Sequence, residues 1–484
     1  MRTRIPRTII IFLLLCAILS ANVFAAQAYT VHSIVVPAAL QPGARVGIVA
    51  PANNAPAERL RLAVEFLESR GFEVVVADDI EVQSELGVGD GTDQMRADAF
   101  NKLARDPDVK AIFCLRGGYG SMHLLPFIDY EALRRNRPIV VGYSDITALQ
   151  TAILQNAGLV TFHGPMLSSN YGQEESFDLL FKLLEEPKES FPLRNLEGTE
   201  FSAINSGIAE GIVVGGNMTL ISVLMGTPYE PDFKDKILFI EEVGEAPYKL
   251  HRYMSQLKLS GKLDGAAAIV IGDISPDREY DDPDISLKVI LEVLKDVKVP
   301  IVYNVRAGHD ENPITIPIGA AVKIEGRSIT VTQKVVETAE QVNNRIITRG
   351  EFAAMLMHAL DGKPDNPAAP FDDVAENSLY YASVTAARAM GIVYGTDDNR
   401  FMPDAPLTAE DMLVMGYRVL DSLGKLPELQ TDQWIEFEDW AAVSEHAQTP
   451  IQTMAKLYGL GGELSPAKPV TYAEALLQLA QLIG

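Results

Sequence analysis

Between residues 45 and 156, short apolar segments alternate with amphipathic ones, and this alternation constrains the fold more than any other feature. Apolar runs predict strands at 46–50, 72–77, 111–115 and 138–142, and helical spacing predicts helices at 56–71, 93–104, 122–127 and 146–156. Strands that alternate with helices favour a parallel sheet covered on both faces. Active sites of such sheets lie beyond the carboxyl ends of the strands.

The pattern changes twice after this α/β region, for which we predict the bounds 44–186. Strands then predominate, and we predict a β-rich second domain over 205–336, with strands at 211–215, 237–241, 266–272, 301–304, 320–325 and 328–332. Residues 346–484 form a third region, which carries 20 acidic and 8 basic residues. A chain of 484 residues is long enough for three such domains.

The first 28 residues have the order of a secretory signal peptide. Arg2, Arg4 and Arg7 precede an apolar run at 9–18, and small-residue patterns follow at 23–28. A membrane anchor is less favoured, because this run is shorter than the roughly 20 residues that span a bilayer. We therefore expect an exported, soluble mature chain without stable membrane insertion.

Charge and cysteine content exclude several classes of protein. The formal net charge of −24 would repel nucleic acid and anionic lipid surfaces, so no nucleic-acid partner is expected. Cys16 lies in the predicted signal peptide, which leaves Cys114 without a disulfide partner. No His-x-x-x-His or paired cysteine spacing, which metal sites often have, occurs in the sequence.

A predicted strand turns abruptly into a helix at residues 138–147, and Ser144 lies at the turn. A serine there could act as a nucleophile, with the backbone amide of Asp145 donating to a developing oxyanion. The alternative is that Ser144 only caps the helix, and Ile146 replaces the second glycine of the Gly-x-Ser-x-Gly nucleophile motif.

A glycine-rich loop follows the preceding strand. Residues 116–120 read Arg-Gly-Gly-Tyr-Gly, and the amides around Gly117 and Gly118 could point into a cavity. A phosphate-binding loop is less favoured, because the Lys-Ser/Thr pair of such loops is missing.

A serine nucleophile needs a base. Four histidines lie in the first two domains: His123, His163, His251 and His309. His309 follows a strand on a glycine-flanked turn, and Glu241 or Glu242, at the end of an apolar strand, could orient its imidazole. For any one of these histidines a purely structural role is the alternative.

These residues resemble the LD-carboxypeptidase family of serine peptidases, which includes muramoyltetrapeptide carboxypeptidases and microcin C immunity proteins. The similar motifs lie at 46–52, 116–120, 142–145, 164–166, 215–217, 240–248 and 308–309. The resemblance implies a Rossmann- or flavodoxin-like first domain and a triad of Ser144, Glu241 and His309. Beside this triad we expect an oxyanion or substrate-binding group that includes Asp145, Gly117, Gly118 and Asn217.

The resemblance further implies hydrolysis of the amide that joins a diamino acid to the terminal D-alanine of a murein tetrapeptide. It implies that this reaction requires no metal and no cofactor, which agrees with the absence of metal-site spacings. Microcin-immunity members instead cleave amides of peptidyl or aminoacyl nucleotide analogues, which is one alternative. A non-catalytic, wall-binding surface protein is another. Family members are commonly dimers, so the resemblance is compatible with a homodimer, and the sequence itself leaves the oligomeric state open.

The third region contains internal repeats. Thr348, Thr408 and Thr471 each precede an acidic residue three positions later, which predicts capping boxes at three helices. The repeats resemble S-layer homology repeats, which anchor exported bacterial proteins to cell-wall polysaccharide. In that family a basic residue follows the threonine and contacts the polymer, and here only Arg349 keeps it. The resemblance implies a secreted, wall-associated protein with Arg349 as a polymer contact.

Overall fold

The computed structural model describes residues 33–78, 91–276, 282, 284–362, 364, 368–376, 378–396, 398–426 and 434–483. The predicted signal peptide lies outside these residues. Within them, no helix is both long enough and apolar enough to cross a bilayer.

The described residues form fourteen strands. They are β1 (Arg45–Val49), β2 (Glu73–Val76), β3 (Val109–Cys114), β4 (Ile139–Gly142), β5 (Thr161–His163), β6 (Phe191–Pro192), β7 (Ser202–Ile204), β8 (Ile208–Asn217), β9 (Ile237–Glu245), β10 (Ala268–Pro276), β11 (Ile301–Tyr303), β12 (Ile316–Ile318), β13 (Ala321–Glu325) and β14 (Ser328–Val331).

The described residues also form sixteen α-helices. They are α1 (Ala57–Ser69), α2 (Asp93–Arg105), α3 (Ser121–Leu124), α4 (Tyr130–Asn136), α5 (Thr147–Ala157), α6 (Glu174–Glu185), α7 (Met218–Leu224), α8 (Pro247–Leu259), α9 (Lys262–Gly265), α10 (Ile285–Leu294), α11 (Ala339–Asn344), α12 (Arg349–Ala359), α13 (Tyr381–Ala389), α14 (Ala409–Ser422), α15 (Gln448–Tyr458) and α16 (Tyr472–Ile483).

The first sheet has the order β12-β5-β4-β3-β1-β2, and its strands are parallel except for β12. Its strands are rich in Val and Ile because helices cover both faces. On one face Phe113 of β3 packs against Phe181 of α6, with ring centroids 5.8 Å apart. The parallel α/β sheet predicted from the alternation is confirmed.

Strand β12 comes from the segment after the second sheet and returns to the first. It pairs antiparallel with β5, so that Ile316 lies opposite His163. Both strands have only three residues, and neither was predicted. Runs this short carry no period that distinguishes a strand from a loop.

The second sheet has the order β6-β14-β13-β8-β9-β10-β11-β7, and its four strands β8 to β11 are parallel. Helices α7, α8 and α10 lie between these parallel strands in the chain. The region is therefore a mixed α/β sheet and contains more helix than the predicted β-rich domain. Helix α8 was missed because its buried face is confined to a few residues such as Leu250, Met254 and Leu257.

The carboxyl ends of the parallel strands in the two sheets meet. The backbone N–H of Asn217, at the end of β8, donates to Oγ1 of Thr147 at the start of α5, with a distance of 2.9 Å. A Cβ on Gly216 would lie 2.6 Å from the same Thr147 oxygen, so this approach requires glycine. Both strand ends therefore border one common site.

The C-terminal helical region is built around a ring of three backbone hydrogen bonds. The N–H of Ile347 donates to the carbonyl of Val470 (3.1 Å), that of Val470 to Leu407 (2.8 Å), and that of Leu407 to Ile347 (2.9 Å). Each of these residues immediately precedes a repeat threonine. Thr348, Thr408 and Thr471 cap α12, α14 and α16. The predicted capping box is complete at Thr348 and Thr471, whose backbone N–H groups donate to the acid three residues later, whereas Asp411 instead contacts the hydroxyl of Thr408.

A buried cluster of charges attaches this region to the first sheet domain. Glu351 of α12 accepts two hydrogen bonds from Arg345 Nη1, at 3.1 and 3.0 Å, and lies 4.0 Å from Arg134 Nε of α4. Burial alone would raise the pKa of Glu351, but Arg345, with Arg137 and Arg134, holds that pKa below its ordinary value. The first repeat is thus docked on the enzyme-like part of the chain.

Candidate active site

Ser144 lies at a sharp turn between β4 and α5. Its φ of 64° falls in the left-handed region, which residues other than glycine adopt rarely and which often marks functional sites. Gly142 lets the helix approach the strand, because a Cβ there would lie 3.0 Å from Ile146 Cγ2. The turn leaves Ser144 half-buried at the carboxyl end of β4.

The glycine loop lies directly against Ser144. A Cβ on Gly117 would lie 2.9 Å from Ser144 Cβ, 3.1 Å from its Oγ and 3.5 Å from the backbone nitrogen of Asp145. Gly118 has a φ of 118° and packs against Asn53. Only glycines let this loop come so close to the serine.

Asn53 holds the loop and was not predicted. Its Oδ1 accepts from the backbone N–H of Tyr119 at 2.8 Å, and its backbone N–H donates to the Gly117 carbonyl at 3.2 Å. Since a trans peptide points its C=O and N–H in opposite directions, the Gly118 N–H is directed away from Asn53. An asparagine in a loop 64 residues before Gly117 gives no local signal of this role.

Asp145 joins the serine turn to the same loop. Its buried Oδ2 accepts from the backbone N–H of Ser121 at 2.8 Å, and its carbonyl accepts from Ser121 Oγ at 2.5 Å. The Asp145 side chain is therefore a structural acceptor, and its backbone amide remains beside Ser144.

Glu241 and His309 form a close pair. Glu241 Oε2, in the middle of β9, lies 2.7 Å from His309 Nδ1, and the Glu241 side chain is fully buried. A carboxylate acceptor fixes the proton on Nδ1, which leaves Nε2 free to accept another. Gly308 allows this contact, because a Cβ there would lie 2.9 Å from the same Glu241 oxygen.

The pair changes the basicity of the imidazole. Burial alone would lower the pKa of His309, but the charge of Glu241 and its hydrogen bond outweigh burial and raise that pKa above the ordinary histidine value. His309 is therefore a stronger base than a free imidazole.

The aromatic ring of Tyr143 connects the pair to the serine turn. Its ring lies edge-on to His309 with centroids 4.8 Å apart, and Tyr143 immediately precedes Ser144. In the described part of the chain no hydrogen bond joins Ser144 to His309, and such bonds commonly tighten only when substrate is present. The structure brings Ser144, Glu241 and His309 to one junction.

In the described part of the chain, none of the other three candidate histidines is hydrogen-bonded to a buried carboxylate, and the carboxylate near His123, that of Asp93 at 3.5 Å, is 45% exposed. His163 is buried against Phe239, and burial lowers its pKa to about 4, so it is neutral at physiological pH. His251 lies on α8, 3.4 Å from Ser255, and His123 lies 3.4 Å from Tyr119. Neither contact is with a buried carboxylate.

Glu242 points away from the imidazole because successive strand residues face opposite sides. It accepts from Asn217 Nδ2 at 2.8 Å and from the backbone and hydroxyl of Thr219. Asn217 Oδ1 also caps α7 by accepting from Leu220 at 3.3 Å. The amide of Asn217 is thus engaged within the protein, and its part in oxyanion or substrate binding stays a prediction.

Arg349, the predicted polymer contact, is held inside the repeats. Its Nη1 lies 2.5 Å from Asp411 Oδ1, its Nε donates to the Phe401 carbonyl at 2.9 Å, and its guanidinium lies over the Phe401 ring. Its polymer-binding role also stays a prediction. In the described ranges, no group of three or more metal-ligating side chains occurs.

Two domain families match the part of the chain that carries this junction. The LD-carboxypeptidase N-terminal domain matches residues 46–164, and the LD-carboxypeptidase C-terminal domain matches residues 210–324. A probable murein peptide carboxypeptidase from Bacillus subtilis is 38% identical over 292 residues, which cover 59% of this chain and 89% of that protein. The chain belongs to the LD-carboxypeptidase family.

Solved structures of the family share the fold. The microcin C7 self-immunity protein in complex with aspartyl sulfamoyl adenosine has a TM-score of 0.59 and 27% identity, over 63% of this chain and 100% of that one. A muramoyltetrapeptide carboxypeptidase from Oxalobacter formigenes has a TM-score of 0.52 and 27% identity, over 61% and 99%.

The C-terminal region has a separate match. The S-layer homology domain matches residues 370–413, which include the middle repeat. This domain indicates association with the cell surface. The family membership and the domain together describe a peptidase at the cell surface.

The close approach of Gly117 to Ser144 gives a direct test of the site. Gly117→Ala would place a methyl group 2.9 Å from Ser144 Cβ and displace the turn, so we expect turnover to fall by roughly a hundred-fold. Gly265→Ala is the matched control, because a Cβ there meets no atom within 4 Å. Peptidase assays measure the turnover of both variants, and melting curves report whether they are folded. A Gly117→Ala enzyme with the wild-type turnover would contradict this geometry.

Proposed function

We propose that this protein is an exported serine carboxypeptidase that releases terminal D-alanine from murein tetrapeptides. The observation that carries this proposal is the pairing of His309 with Glu241 at 2.7 Å beside the strained turn of Ser144. The murein peptide carboxypeptidase among its relatives supports the substrate class.

The proposed reaction is acyl transfer in two steps. His309 Nε2 takes the proton from Ser144 Oγ as this oxygen attacks the carbonyl carbon of the diamino acid, and Glu241 stabilises the imidazolium. The proton then passes to the nitrogen of D-alanine, which leaves as the free amino acid. Water, deprotonated by the same imidazole, hydrolyses the acyl ester and restores Ser144.

The negative oxygen of the tetrahedral intermediate needs donors. We assign them to the backbone amides of Asp145 and Gly118, which lie on the two segments that enclose Ser144. The 3.5 Å separation between the Asp145 nitrogen and the Cβ position of Gly117 supports this assignment. Fixed backbone donors need no reorganisation during the reaction.

Residues of one proton-transfer chain act as a unit, which gives the second prediction. Ser144→Ala and His309→Ala should each lower turnover by roughly a thousand-fold or more, and the double variant should be little worse than either. Glu241→Ala should be less severe, because Glu241 orients the base and takes no proton from serine. The measurement is release of D-alanine from tetrapeptides that contain lysine or diaminopimelate.

His251→Ala is the control and should keep the wild-type rate, since His251 is exposed and lies 3.4 Å from Ser255 on the same helix. The raised pKa of His309 should also place the acidic limb of kcat/KM above the ordinary histidine value. Near-normal turnover of His309→Ala would refute the triad. Faster cleavage of an aminoacyl sulfamoyl adenosine than of tetrapeptides would favour the immunity-type alternative.

We also propose that the repeats attach the exported protein to wall polysaccharide, with Arg349 as a contact. Arg349→Ala should then reduce pull-down with purified walls several-fold, while Asp411→Asn, which weakens the same internal ion pair but keeps the arginine, should not. Circular dichroism reports whether the repeats of both variants are folded, and soluble tetrapeptide hydrolysis reports whether the peptidase domains are intact. Equal loss of wall binding in the two variants would mean that the ion pair between Arg349 and Asp411, and not a contact of Arg349 with the polymer, supports wall binding.

A further inference from the structure

Strand β10 has a bulge directly beside the catalytic glutamate. Ile271 lies opposite Ile240 of β9 and Ile274 lies opposite Glu242, so Gly272 and Asp273 together oppose Glu241. Bulges of this kind redirect a side chain and are frequent next to active sites. Here the bulge brings a further carboxylate, that of Asp273, to the end of the sheet.

Asp273 holds the turn that carries His309 from both sides. Its backbone N–H donates to the Ala307 carbonyl at 2.9 Å, two residues before the histidine. Its carboxylate faces the backbone N–H of Asp310, one residue after the histidine. Between them, Gly308 packs so closely that a Cβ there would lie 3.2 Å from Asp273 Cβ.

The carboxylate of Asp273 is buried but does not form a close ion pair. Asp273 is 4% exposed, and among the described residues its Oδ2 has no hydrogen-bond partner. Arg306 Nη1 lies 4.0 Å from Oδ1 but only 3.2 Å from Asp310 Oδ2, which it therefore contacts more closely. Burial raises the pKa of Asp273 to about 7, so placing a charge here is costly.

We propose that Asp273 is a positioning residue for His309, which fixes the histidine turn and, by its negative charge, favours the imidazolium formed when Ser144 attacks. This rests on the proposed function of His309 as the base. When Asp273 is ionised, its charge adds to that of Glu241 in stabilising the protonated imidazole. When Asp273 is protonated, Glu241 alone stabilises it. The titratable and charged groups that face Asp273 and His309 are Glu241, Glu242, Tyr143, His163, Arg306 and Asp310.

Two substitutions separate the charge from the shape. Asp273→Asn keeps the size and one acceptor oxygen, and Asp273→Ala removes both. We expect Asp273→Asn to lower the pKa of His309 by about half a unit or more. This pKa is measured by NMR titration of the imidazole in a Ser144→Ala background. In the enzyme with intact Ser144, the acidic limb of kcat/KM should move to lower pH by the same amount.

Asp273→Ala should in addition lower kcat about ten-fold with little change in KM, because the turn loses the carboxylate that faces the Asp310 N–H. Asp264→Asn, an exposed acid on α9, is the control for a general loss of negative charge and should change neither quantity. Circular dichroism reports folding, and Asp273→Asn remains informative if Asp273→Ala does not fold.

An unchanged His309 pKa in Asp273→Asn would overturn the proposal. If instead the pKa falls while the acidic limb of kcat/KM stays in place, Asp273 does act on His309, but His309 is not the base. That result would refute the proposed function and leave the inference about Asp273 intact.

Discussion

The buried carboxylate of Glu241 determines how the catalytic end of this molecule is built. A charge taken out of water must be paired, and the only hydrogen bond given to Glu241 in the described residues comes from His309 Nδ1, at 2.7 Å. That single bond fixes both the tautomer and the orientation of the imidazole. It also requires glycine at 308, since any side chain there would meet the carboxylate. Because Ser144 belongs to the other sheet, the site exists only where the two sheets meet.

Sequence patterns predicted the elements that have a local cause, including the parallel strands, the serine turn and the capped repeat helices. They could not choose between Glu241 and Glu242 without the family resemblance, because the choice depends on which face of β9 meets the histidine turn. Asn53, the return of β12 to the first sheet and the bulge at Asp273 were missed. Each depends on contacts between residues far apart in the chain, which no periodicity records.

The first repeat differs from the other two in its surroundings. Its capping-box acid, Glu351, is buried among arginines of α4 and of the preceding segment, whereas the equivalent Glu474 of the third repeat is 41% exposed and pairs with Lys468. A buried acid with several cationic partners resists separation more than an exposed pair does. The repeat that keeps the basic residue Arg349 is thus docked on the peptidase part of the chain, so wall attachment at Arg349 would hold the active site near the polymer.

The most direct test of this account is covalent labelling of the wild-type protein with a fluorophosphonate, followed by peptide mass spectrometry and by the pH dependence of the labelling rate. The account predicts one adduct per chain, on Ser144, formed at a rate that falls at acidic pH as His309 becomes protonated and that is nearly abolished in His309→Ala. Labelling of another residue, or undiminished labelling of Ser144 in His309→Ala, would contradict it.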